Sequence, residues 1–164
     1  MSPASTRVAG AEDHDAAVSV WRAANIARGR PPGPERVDRV RVKLAEPGAL
    51  VIVAVVEGRV RGMLLAEPGL SPGGSPIPGL CHLSMLFVDP PLQGGGLGRL
   101  LLDRLRTHAD GLGCSRLQVW TGVDNDRARR LYRRAGFVPT GRVASLGAGR
   151  LIEHLVWAPR PGAG

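Results

Sequence analysis

Apolar positions along this chain switch between a spacing of two and a spacing of three to four, and the switch points divide it into elements. Thr6 to Ala9 reads as a short strand, and Asp13 stands where a helix N-cap belongs. Ala17, Val20, Trp21 and Ala24 then recur at helical spacing, which puts Trp21 on the core side. Pro31 and Pro32, between Gly29 and Gly33, break that helix. Pro34 can open another that runs to about Ala45, ahead of Pro47-Gly48. Its charges (Glu35, Arg36, Asp38, Arg39, Arg41 and Lys43) read as an exposed face.

Leu50 to Val56 and Val60 to Ala66 are apolar runs joined through Glu57-Gly58-Arg59, the pattern of an antiparallel hairpin. Glu67 to Gly79 holds four prolines and four glycines and is predicted to be a long irregular loop, either a connector or a flap over an acceptor site. Leu80 to Val88 is the next strand, and Asp89-Pro90-Pro91 turns the chain. A leucine-rich helix begins near Gly98, with Leu101, Leu105, Ala109 and Leu112 on one face, and Gly111 and Gly113 end it. Arg116 to Trp120 is a strand, Asp124 or Asn125 caps a last helix closed by Gly136, and Phe137 to Val143 pairs with Arg150 to Trp157. Residues 159–164 read as a loose tail.

Composition narrows the class. A chain of 164 residues, 43% hydrophobic and without internal repeats, suits a single domain spanning 1–164. Its longest apolar run, Ala49 to Val56, falls well short of the roughly 20 residues that span a bilayer. The N-terminus has no basic-then-apolar leader, so a soluble, unexported, cytoplasmic protein is expected, with no membrane partner. Cys81 and Cys114 lack C-x-x-C spacing and read as neither a disulfide framework nor a zinc site, with Cys81 a buried small residue. The net charge of +8 comes almost wholly from arginines scattered between Arg7 and Arg160, and aromatics make up only 4%. That composition offers no base-stacking platform, so no nucleic-acid partner is expected. The nine arginines against four aspartates between Arg99 and Arg134 favour a polyanionic small ligand, though most of them read as solvated surface.

The candidate chemistry centres on Gly94, Gly95 and Gly96. Three glycines in a row let backbone N–H groups approach an anion without Cβ interference, and the helix start just beyond adds unpaired N–H groups and a favourable dipole. The ligand should therefore carry phosphates. A dinucleotide fingerprint fails, because Arg99 and Leu101 stand where its third glycine belongs. A P-loop fails because Gly98 is followed by Arg99 and Leu100.

What remains, Gln93-x-x-Gly96-x-Gly98 after a strand and a proline turn, resembles the acetyl-coenzyme A signature of the GNAT superfamily of N-acetyltransferases. Asn125-x-x-Ala128-x-x-Leu131-Tyr132-x-x-x-Gly136-Phe137 is similar to that family's next helix and strand, and the likeness covers about Leu50 to Val156. The resemblance implies an α/β (α+β) fold with a mixed, mostly antiparallel central sheet of about six or seven strands flanked by about four helices. It implies acetyl-CoA as acyl donor, with the pyrophosphate held by the amides of Gln93, Gly94, Gly95, Gly96, Leu97, Gly98 and Arg99. Phe87 and Val88 would border the pantetheine arm, with main-chain bonds at Val88 where the cradle strand and the strand at Arg116 splay. Asn125 and Ala128 would touch the same arm, and Tyr132 would lie near the thioester sulfur.

Direct transfer to an amine needs one group to take a proton and one to return it to the departing thiolate. Tyr132, the chain's only tyrosine, falls at the family's acid position. His82 occupies a strand position where some members carry the base, and Ser84 shares its face. His108 and His154 read as structural or exposed. The implied acceptor is a primary amine of a small molecule. A protein N-terminus or lysine, or a noncatalytic acyl-CoA-binding role, are the alternatives, and the resemblance leaves room for a homodimer.

Overall fold

A computed structural model describes residues 3–159, so the expected tail at 159–164 lies outside the described residues except for Pro159. The described residues group into two compact units, 3–67 with 85–107 and 68–84 with 108–159. The strands are β1 (Ser5–Val8), β2 (Leu50–Val56), β3 (Arg59–Leu70), β4 (Pro76–Val88), β5 (Arg116–Gly122), β6 (Val138–Ser145) and β7 (Leu151–Trp157). Their order is β1-β2-β3-β4-β5-β7-β6. The β4–β5 pairing is parallel, while β1–β2, β2–β3, β5–β7 and β6–β7 are antiparallel. The helices are α1 (His14–Ala27), α2 (Pro34–Leu44), α3 (Leu97–Ala109) and α4 (Asp126–Arg134). This is the mixed, mostly antiparallel architecture the motifs implied.

In the first unit the period-two runs form one wall of the core. Val53 opposite Met63 and Val51 opposite Leu65 present one face of β2–β3, and Ala17, Val20, Trp21, Val40 and Leu44 of α1 and α2 pack against it. Ala54 pairs with Gly62 on the other face, where Gly62 leaves room for Leu101 of α3. Arg104 of α3 donates through Nε to the Thr6 hydroxyl (3.0 Å) and through Nη2 to the Thr6 carbonyl (2.9 Å), fastening the helix to β1. The hairpin between β2 and β3 is a two-residue loop with positive φ at Glu57 (52°) and Gly58 (76°), the combination that matches strand twist.

Four expectations need correction. Asp13 does flank α1, but its carboxylate makes no cap. It accepts from the Gly10 amide (2.9 Å) and from Arg7 (2.6 and 2.9 Å), and the Arg7 guanidinium holds the carboxyl below its usual range. Leu112 is 52% exposed, because α3 ends at Ala109 and a tighter 3-10 turn, Asp110–Leu112, carries it off the buried stripe. The irregular loop expected at 67–79 is mostly strand: β3 runs on to Leu70, β4 starts at Pro76, and a short turn closed by Ser71 N–H to Ser75 O (2.8 Å) links them. The fourth concerns the cysteines, whose place is set by the β4–β5 pairing. Leu80↔Arg116 to Leu83↔Val119 is a parallel register, so Cys114 arrives beside the start of that ladder with its Cα 5.9 Å from that of Cys81. The two sulfurs are joined as a disulfide, against the reading from spacing alone.

Candidate active site

In the first unit, β4 delivers Phe87 and Val88 to a 3-10 turn, Pro90–Leu92, and the turn opens onto the glycines. Phe87 packs on the α1–α2 core, which fixes the end of the strand. An ion pair steadies the turn: Arg61 Nε donates to Asp89 Oδ2 at 2.7 Å, and the Asp89 amide donates to the Arg61 carbonyl at 2.8 Å. Arg61 was not anticipated, since only the placing of β3 beside β4 brings it to the turn. Gln93 is exposed and donates through Nε2 to the Val88 carbonyl at 3.2 Å.

Gly94 (φ 82°) and Gly96 (φ 94°) have the left-handed conformation that side chains resist, and the space where a Cβ would sit is open at both. The first α-helical bond after them runs from Leu100 N–H to Gly96 O at 3.1 Å. The N–H groups of Leu97 and Gly98 therefore precede the helical ladder. Leu97 is buried and anchors this first turn, while the Arg99 side chain pairs with Asp103 at 3.1 Å. A bare backbone loop with open space above it, leading into helix N–H groups, has the donor set that a pyrophosphate needs.

In the second unit the polar residues gather on one face of β5, β7 and β6. His82 pairs in register with Gln118, and Trp120 with His154, so alternation puts all four on the same side. Gln118 Nε2 lies 3.3 Å from His82 Nδ1, and Gln118 Oε1 lies 2.9 Å from His154 Nε2. The Thr140 hydroxyl is 2.9 Å from His154 Nδ1. His154 is buried, and its pKa is pushed down by burial first, then by Arg142 and by His82. It is buried and lies one side chain removed from the candidate base. Cys81 and Leu83 point to the opposite, buried face.

α4 holds the remaining candidates in place. Asn125 caps it by accepting from Ala128 N–H at 3.3 Å. Its C-terminus closes with Phe137 N–H to Tyr132 O (2.9 Å) and Gly136 N–H to Arg133 O (3.0 Å), the Schellman arrangement. Arg129 reaches Glu153 of β7 at 2.8 Å and the Val123 carbonyl at 3.0 Å. Tyr132 is buried, with its ring centroid 5.5 Å from that of Phe137, and burial raises its phenol pKa well above the ordinary value. The phenol is therefore held protonated and can serve as a donor.

The profile of the acetyltransferase (GNAT) family matches residues 17–137, and the chain belongs to that family. Mycothiol acetyltransferase of Kineococcus radiotolerans is 35% identical over 129 residues, 75% of this chain and 39% of that protein. The N-alpha-acetyltransferase RimI of Mycobacterium tuberculosis is 41% identical over 86 residues, 52% of each chain. The chain thus spans about two fifths to one half of these curated relatives. Among solved structures, yncA of Salmonella typhimurium, determined with acetyl-CoA, superposes with a TM-score of 0.74 at 22% identity, covering 98% of this chain and 96% of that one. That likeness is one of fold. No described helix is long and apolar enough to cross a membrane.

Proposed function

We propose that this chain is an acetyl-CoA-dependent N-acetyltransferase that moves an acetyl group directly to the primary amine of a small molecule, acting as one catalytic domain. The observation that carries the reading is the pair of left-handed glycines, Gly94 and Gly96, set immediately before the first turn of α3 inside a family match that spans them. Of the amides from Gln93 to Arg99, those of Gln93 and Gly95 already donate to the Pro90 and Leu92 carbonyls (3.3 and 3.2 Å), so Gly94 and the residues from Gly96 onward would hold the pyrophosphate, and bound acetyl-CoA would supply the thioester carbonyl. The backbone of Phe87 and Val88 would meet the pantetheine arm. Because Gln93 Nε2 occupies the Val88 carbonyl at 3.2 Å, that side chain must swing away when the arm binds. Asn125 and Ala128 would border the same arm.

Tyr132 keeps its proton and returns it to the departing thiolate, and His82 draws the proton from the amine, directly or through water near Ser84. A second reading, with a protein N-terminus as acceptor, is favoured by the RimI relative, whose name denotes N-alpha acetylation.

Calorimetry tests the donor: uptake of acetyl-CoA at micromolar concentrations is expected, and none at millimolar levels on folded protein would overturn the assignment. Tyr132→Phe should lower turnover by about 10²-fold while leaving acetyl-CoA affinity within a few-fold of the parent. Unchanged turnover would remove the tyrosine from the chemistry. Thiol release across a panel of small amines and N-terminal peptides then separates the two acceptor classes.

A further inference from the structure

The strongest unassigned feature is the run of side chains from His82 through Gln118 and His154 to Thr140, which crosses four adjacent strands of the second unit. Each member has limited hydrogen-bonding capacity, so their roles constrain one another. A neutral imidazole has one donor nitrogen and one acceptor nitrogen, a carboxamide has one donor end and one acceptor end, and a hydroxyl has a single proton. Burial first, then the Arg142 charge, lowers the His154 pKa and favours its neutral ring. The whole run is therefore directional, and fixing one end fixes the other.

Thr140 supplies the fixed end. Its oxygen accepts from the Arg142 amide at 3.3 Å, its proton lies within reach of the His154 carbonyl at 3.3 Å, and His154 Nδ1 lies 2.9 Å away. If the hydroxyl donates to Nδ1, the carbonyl contact has no proton, and four of the five contacts in the run are satisfied. If it donates to the carbonyl, His154 Nδ1–H donates to Thr140 and His154 Nε2 becomes an acceptor. Gln118 must then offer its amide N–H₂ to His154 and its oxygen to His82, which requires only that the carboxamide turn over, since its two ends are alike in shape. His82 Nδ1–H donates to that oxygen. All five contacts then hold together.

We propose that Gln118, anchored by His154 and Thr140, is a positioning residue that commits neutral His82 to the tautomer with its proton on Nδ1. The reading rests on the transferase assignment above and deepens it. With Nδ1 bound as a donor, Nε2 is the acceptor nitrogen of His82, the state a general base requires. When Nε2 takes a proton from the amine, the Gln118 oxygen already faces Nδ1–H, so the imidazolium forms without any donor meeting a donor. No bond of the network breaks during that step.

The test is side-chain ¹⁵N NMR of the intact chain above the titration range of its histidines. Both His82 and His154 are expected to show a protonated Nδ1 and a lone-pair Nε2. Protons on Nε2 in both would overturn the proposal, whether or not the protein turns over. Thr140→Val removes the anchor and should replace the single His82 tautomer by a mixture. kcat should fall about tenfold while KM for acetyl-CoA holds, and Thr140→Ser should restore both the spectrum and the rate. A Thr140→Val protein that keeps one His82 tautomer would also overturn it. Should Thr140→Val fail to fold, the spectrum of the unaltered protein still decides. A correct tautomer in a chain without transferase activity would sink the functional assignment alone.

Discussion

Two proline- and glycine-rich stretches of this chain look alike in composition and end in opposite structures. From Pro90 to Gly98 the backbone stays outside any strand ladder and turns left-handed at Gly94 and Gly96. From Glu67 to Gly79, richer still in proline, the chain is drawn into β3 and β4 as a strand hairpin. Pro68, Pro76 and Pro78 are tolerated because they sit at exposed positions near the hairpin end, where the β4–β5 ladder has not yet begun at Leu80. Gly69 serves there by being small, since a Cβ would stand 2.5 Å from Leu80 Cγ. Glycine thus does two jobs, conformational in the cradle and steric in the hairpin, and substitution separates them.

The largest effect should come from Gly96→Val. A β-branched residue resists the left-handed region at a cost of about 1–2 kcal/mol, and its side chain would enter the open cradle. Acetyl-CoA affinity measured by calorimetry should fall about 10²-fold or more, with the fold intact. An affinity within threefold of the parent would dissolve the distinction between the two stretches.

Gly69→Ala should do the reverse. Crowding against Leu80 should cost about 1–3 kcal/mol in denaturant unfolding, while the folded protein binds acetyl-CoA as before. A parallel loss of affinity would mean that the hairpin takes part in the ligand site.

Hydrogen exchange sharpens the contrast further. Amides of β3 up to Leu70 and of β4 from Ile77 should exchange much more slowly than those of Gly94 and Gly96, and acetyl-CoA should slow only the latter. Ligand-dependent protection across 71–75 would revive a flap. The smallest effect belongs to Gly73→Ala, where the nearest heavy atom, Ser71 Oγ, is 3.9 Å from the new Cβ. Stability should change by no more than about 0.5 kcal/mol.

The features legible in advance depend on near neighbours. Helical spacing located α1, Pro34 and Pro47-Gly48 bounded α2, Glu57-Gly58 located a hairpin turn, and the Gln93 to Gly98 pattern located the glycine loop, because each expresses a local rule of backbone geometry or capping. Proline content misled at 67–79 because propensity was weighed without the ladder that overrides it. Leu112 misled because three residues of tighter winding are invisible to a fixed period.

Periodicity, turn chemistry and motif spacing were enough to place most of the elements and the family, since all three act over a few bonds. The disulfide between Cys81 and Cys114, the Arg61–Asp89 tie and the run from His82 to Thr140 join residues from separate strands. Their meeting depends on strand order and register, and a one-residue slip would turn Gln118 to the buried face and leave His82 without its neighbour. Long-range pairing, not local preference, decided those contacts.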